Sequence, residues 1–169
     1  MKSRILVVIV FAGLLLSSCH FTYHSKADEL ALPLVRALQD NSPKEAFCLI
    51  PTHDVMDEVV TNNAGVLGNP YYNKYSTDYR TGTLKAKLTA DFDIANTISK
   101  KDGLDWGKVL IGNVTTDEVN VDGTTYNRVT VNLRFPSGDY MMQYNAVKSQ
   151  TRGWFLGNDV YFGKPIAKK

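Results

Sequence analysis

The sequence predicts an α+β domain in which N-terminal helices pack on a four-stranded antiparallel meander. Apolar residues recur every three or four positions in stretches between Leu30 and Ile98, then every second position from about Val109 onward. Three short turn signals, Asp122-Gly123, Pro136-Ser137-Gly138 and Thr151-Arg152-Gly153, cut the alternating part into four strands. Such short links join antiparallel neighbours, because a parallel crossover needs a dozen residues or more. A sheet with one apolar face has nowhere to bury it except beneath the helices.

The first 18 residues precede that domain. Lys2 and Arg4 lead into an apolar run from Ile5 to Leu16, closed by Leu16-Ser17-Ser18-Cys19. Ile5 to Ser18 is uncharged, but a helix needs about 20 residues to cross a hydrocarbon core, so the run reads as a signal peptide, residues 1–18. Leu-Ser-Ser-Cys resembles the bacterial lipobox. That resemblance implies cleavage between Ser18 and Cys19, a diacylglycerol on the Cys19 sulfur and an acyl chain such as palmitate on the new amino terminus. Several chains at about 0.8 kcal/mol per buried CH₂ make a lasting membrane anchor. Residues 19–26 then read as a lipidated tether with solvated His20 and His24, 27–163 as a single domain, and 164–169 as a polar tail.

Within the domain, Ser25 to Asp28 offers a capping box, and Leu30, Leu34, Val35 and Leu38 follow at helical spacing. Pro33 interrupts this stretch, so a regular helix is expected only from about Leu32. Ser42-Pro43-Lys44-Glu45 starts a second helix, Pro43 to Ile50, with serine at the N-cap and proline in the first turn. Pro51 stops it. Thr52 can cap a third helix, whose face is Val55, Met56, Val59 and Val60 and which ends at Asn62-Asn63-Ala64-Gly65. Residues 65–82 are undecided, although a helix there would align Tyr71, Tyr75 and Tyr79. From Thr83, Leu84, Leu88, Phe92 and Ala95 define a long helix with Lys100 and Lys101 in its last turn and Gly103 beyond.

Leu104-Asp105-Trp106-Gly107 is the hinge into extended chain. The expected strands are Val109 to Val119, Tyr126 to Phe135, Tyr140 to Lys148 and Trp154 to Phe162. In the second, Val129, Val131, Leu133 and Phe135 point one way and Arg128, Thr130, Asn132 and Arg134 the other.

Charge narrows the choice of partner. The chain has 19 Lys+Arg against 17 Asp+Glu, and removing Lys2 and Arg4 with the signal leaves 17 against 17. Without a net positive charge or a basic stripe, the electrostatic term that dominates nucleic-acid binding is missing, so nucleic acid is not expected as a partner. The chain has two cysteines. An acylated Cys19 leaves no second cysteine in the chain for Cys48, which its neighbours Ala46, Phe47, Leu49 and Ile50 make a small buried hydrophobe.

No catalytic or metal signature emerges, and no metal or cofactor is expected. His53, in the first turn of a helix, reads as a solvated or capping residue rather than a base. Neither paired cysteines nor HExxH is present, and the glycines at 103, 107 and 112 do not form a phosphate loop. Asp117, Glu118 and Asp122 read as a solvated hairpin end rather than a cation site.

The capped helix Ser42 to Phe47, the Asp105-Trp106 strand entry and the Gly153-Trp154-Phe155-Leu156-Gly157 end strand resemble small bacterial envelope lipoproteins with an NTF2-like (cystatin-like) fold. The resemblance spans about Ala27 to Gly163. It implies a strongly curved sheet forming a cone, often with a pocket at its open end. Trp106, Tyr126, Tyr140, Tyr144 and Trp154 are the candidates to line it. The function expected is non-enzymatic binding or scaffolding of an envelope protein or small apolar ligand. The alternative is an isomerase or hydratase with a buried Asp facing a Tyr across a cavity. His20 after Cys19, in place of the inner-membrane retention Asp, points to the outer membrane, facing the periplasm.

Overall fold

The computed structural model describes residues 23–63, 70–121 and 124–165. After a 3₁₀ turn (Ala27–Leu30) come five helices: α1 (Ala31–Gln39), α2 (Pro43–Phe47), α3 (His53–Asn63), α4 (Pro70–Arg80) and α5 (Thr83–Lys101). A second 3₁₀ turn (Trp106–Lys108) leads into β1 (Leu110–Val121), β2 (Thr124–Phe135), β3 (Gly138–Ser149) and β4 (Gly153–Gly163). The strands pair in the order β1-β2-β3-β4, every pair antiparallel, so the fold is the expected α+β arrangement of helices and meander. The Asp122-Gly123 turn lies outside the described residues.

Several local expectations change for identifiable reasons. The regular helix α1 begins at Ala31, one residue from the expected Leu32 and after a 3₁₀ turn, so Pro33 falls in its first turn. The acid closing the N-terminal box is Glu29 rather than Asp28. Its carboxylate accepts from the Ser25 amide at 2.6 Å, the Ser25 hydroxyl at 2.7 Å and the Lys26 amide at 3.4 Å, since the N-cap is Lys26, one residue later than expected. Ser42 precedes α2, but its hydroxyl makes no cap bond. That helix ends at Phe47, and Cys48, Leu49 and Ile50 continue through tighter bonds to residues three back. The undecided stretch contains α4, whose Tyr71, Tyr75 and Tyr79 turn inward together, Tyr75 completely buried.

The core follows the two periods. Leu84, Leu88, Phe92 and Ala95 of α5 are buried, as are Val129, Val131, Leu133 and Phe135 of β2, while Asn132 and Arg134 are exposed. Where β3 meets β4 the pattern is different. Ala146 lies opposite Leu156 and Val147 opposite Phe155, and all four are buried. Neighbours on a strand point to opposite faces, so both faces are covered here, more than a simple two-layer packing provides. On this side α3 packs against β3. Glu58 holds the β3–β4 turn, accepting from the Ser149 hydroxyl (2.7 Å) and from the Thr151 amide (2.9 Å) and hydroxyl (2.8 Å). Bulges between Ile111 and Val114 and between Tyr144 and Ala146 bend the sheet. Among the described residues no helix is long and apolar enough to cross a membrane.

Candidate functional site

The five aromatic residues expected to line a pocket are distributed over four places. Trp106 and Tyr140 share one cluster with Phe135 and Phe162, in which Trp106 meets Phe135 edge-on at 5.1 Å and Tyr140 stacks on Phe162 at 5.5 Å. Tyr144 lies under the first 3₁₀ turn and donates to the Ala27 carbonyl at 2.8 Å. Tyr126 stacks on Tyr71 at 4.8 Å, with the Arg128 guanidinium bonded to its hydroxyl. Trp154 lies beside Lys148 at the β3–β4 turn. Each ring is committed to a neighbour, and strand parity alone could not say which.

The phenols are held donors. Burial, then the hydrogen bond to Asp102 and that group's charge, push Tyr140 up to about 12. Its hydroxyl donates to Asp102 Oδ2 at 2.5 Å, and Lys164 Nζ lies 3.9 Å from the same oxygen. Burial, with the Asp28 charge, raises Tyr144 well above its ordinary value. The Tyr140–Asp102 pair is in direct contact rather than facing across a cavity. Half-open grooves mark the margins of the fold. One of about 240 Å³, between α1 and the end of α5, includes Asn41, Ser99, Lys100 and Trp106, with the indole N–H bonded to Ser99. Another of about 350 Å³ includes Gly112, Asn113, Asp139, Tyr140 and Pro165 at the foot of β1.

The sheet edges carry the sharper contrast. On β4 three outward amides are occupied: Trp154 N–H bonds the His24 carbonyl (2.9 Å), Leu156 N–H the Leu49 carbonyl (2.8 Å) and Val160 N–H the Asp91 carboxylate (3.0 Å). The Leu156 carbonyl accepts from the buried Tyr75 hydroxyl at 2.7 Å. The tight turns after α2 are what bring the Leu49 carbonyl to this edge. Burial pushes the Asp91 carboxyl up, the Val160 amide pulls it back, and the Asp159 charge adds to the rise.

At the other edge, β1 has 12 residues without Lys or Pro, the residues that usually blunt an edge strand. The hydrogen-bonding alternation can be carried across the sheet from the outward amides of Trp154 and Leu156. It turns Thr115 and Asp117 toward Thr130 and Arg128 of β2, and leaves the backbones of Val114, Thr116 and Glu118 facing out. Among the described residues nothing bonds to them on that side. Sequence reasoning missed this edge, although it carries a signal: Thr115 to Glu118 is polar on both faces, the mark of a strand without cover.

His53 is exposed, 3.8 Å from Asp57, which also pairs with Arg80. Asp117 lies opposite Arg128, Asp122 is outside the described residues, and among the described residues no group of three His, Cys, Asp or Glu could hold a metal. Cys48 differs from expectation in being half-buried and disulfide-bonded. The chain's one other cysteine is Cys19, and the lipidation and cleavage assigned to it lie outside the described residues. No family model, curated protein or solved structure matches this chain.

Proposed function

We propose that this chain is a lipid-anchored protein of the bacterial cell envelope, held by acylated Cys19 at the outer membrane facing the periplasm. Its NTF2-like (cystatin-like) domain is a non-enzymatic module that binds or scaffolds a partner protein. The observation that carries the binding reading is the open β1 edge, a row of outward amides and carbonyls that an extended chain can pair with. A protein partner is favoured over a small apolar ligand because the candidate pocket rings are spent on neighbours, and the grooves are open and partly polar. The anchor reading rests on Lys2, Arg4, the apolar run and Leu16 to Cys19.

One sulfur cannot be both a thioether and half of a cystine, so acylation of Cys19 and a bond from it to Cys48 exclude each other within a chain. Intact mass of the protein extracted from membranes, without reductant, separates them. The expected species lacks residues 1–18 and carries diacylglycerol plus an acyl chain. An unacylated species lighter by one pair of hydrogens overturns the anchor. Cys19→Ser is expected to abolish labelling by palmitate and to release the protein from membranes; continued membrane association also overturns it.

A further inference from the structure

We propose that β1 pairs with β1 of a second copy, antiparallel about a twofold axis at Thr116, so that two four-stranded sheets join into one of eight strands. This rests on the binding reading above and adds the identity of the partner.

The register argument narrows the axis to very few positions. In the unbroken part of β1 the alternation turns Val114, Thr116, Glu118 and Asn120 outward; Asn120 is already engaged within its own chain, so a second copy matches Val114, Thr116 and Glu118 with each other. An axis at Asp117 or Glu118 sets a carboxylate opposite its own twin, which is destabilising. An axis at Thr115 pairs Asp117 and Glu118 with Asn113 and Gly112, inside the bulge between Ile111 and Val114 that disrupts the ladder. An axis at Thr116 avoids both faults. It pairs Thr116 with Thr116, Thr115 with Asp117 and Val114 with Glu118, so each acid faces a neutral residue. Asp117 also keeps Arg128 opposite it within its own sheet. Valine and threonine suit a pleated edge, and cross-strand threonine pairs are favourable.

A ladder confined to Val114 through Glu118 is short. It falls below the roughly 1,000 Å² that a lasting interface needs, so the dimer is weak in dilute solution and gains from confinement of two copies to one membrane surface.

Two variants of the full-length, membrane-inserted protein test this. In a hydrogen-bonded antiparallel pair the Cα atoms lie about 5.5 Å apart, within disulfide reach. Thr116→Cys is expected to give at least about ten-fold more covalent homodimer on mild oxidation than Thr97→Cys, an exposed control on α5. The native cysteines contribute equally to both. Thr116→Pro removes an outward amide and leaves the β2 ladder whole, a substitution that edge strands accept. In detergent at raised concentration it is expected to sediment as monomer where the natural protein dimerises, with unchanged far-ultraviolet circular dichroism. Equal homodimer from the two cysteine variants, or a dimer that survives Thr116→Pro, overturns the proposal. Adducts from Thr116→Cys to a different protein also overturn self-pairing, while leaving the binding reading in place.

Discussion

Both β4 and β1 are edge strands of one sheet, yet β4 spends three outward amides on His24, Leu49 and Asp91, while among the described residues nothing bonds the outward backbones of Val114, Thr116 and Glu118 on β1. β4 is flanked by α5, with Tyr75 of α4 and the turn after α2 closing on it, and it is buried on both faces near Leu156. β1 contacts little besides β2, and Thr115 to Glu118 are exposed. An unpaired edge invites association, and folds commonly suppress it. This chain suppresses it on one side with its own main chain and leaves the other side open, an asymmetry that fits an edge kept for a partner.

Substitutions that reopen β4 measure how strongly that side is closed. Leu156→Pro is expected to prevent folding, because it removes a buried amide bond and a completely buried side chain, together at least about 4 kcal/mol; a cooperative thermal transition near that of the natural protein would refute the account of this edge. Gly153 comes next. It holds φ +82°, and a Cβ there would collide with the His24 carbonyl, so Gly153→Ala is expected to cost about 3 kcal/mol in urea denaturation. Tyr75→Phe keeps the buried ring and deletes its bond to the Leu156 carbonyl, for about 1.5 kcal/mol.

The smallest effect is at Asp91 and depends on pH. Burial raises its carboxyl in the folded state, so the ionised form is disfavoured by folding, and the penalty is relieved as pH falls through the raised value. Asp91→Asn is therefore expected to be slightly the more stable form at neutral pH, with the gap closing on acidification. Glu58 works the other way. The Ser149 hydroxyl and then the Thr151 amide and hydroxyl hold its carboxyl below the usual range, so its contribution is present at neutral pH and lost in acid. Paired denaturation curves for Asp91→Asn and Glu58→Gln should converge on that of the natural protein in acid from opposite sides.

The elements of this fold were largely legible because they are local. Leu84 to Ala95 at helical spacing and Val129 to Phe135 in alternation report one buried face each, and the turns between later strands have their own residue chemistry. The α4 helix was not, since its glycine-, asparagine- and tyrosine-rich surroundings are weak helix formers, and burial of Tyr75 against β4 supplies what propensity lacks. The closed edge was illegible for a related reason. His24, Leu49 and Asp91 reach β4 across 69 to more than 100 residues of chain, and no window of sequence contains both partners. The ring placements failed likewise: strand parity put Tyr126 and Tyr140 on the sheet but could not supply Tyr71 or Asp102.

The bridge between His24 and Gly153 has a mechanical side. Among the described residues, a pull arriving along the N-terminal chain first meets the His24 carbonyl bond to Trp154, so there load enters at the side of the sheet reinforced by helices and by both-face burial. From there to β1 is three strand spacings, roughly 14 Å. The border proposed to pair is thus set apart from the one that carries tension.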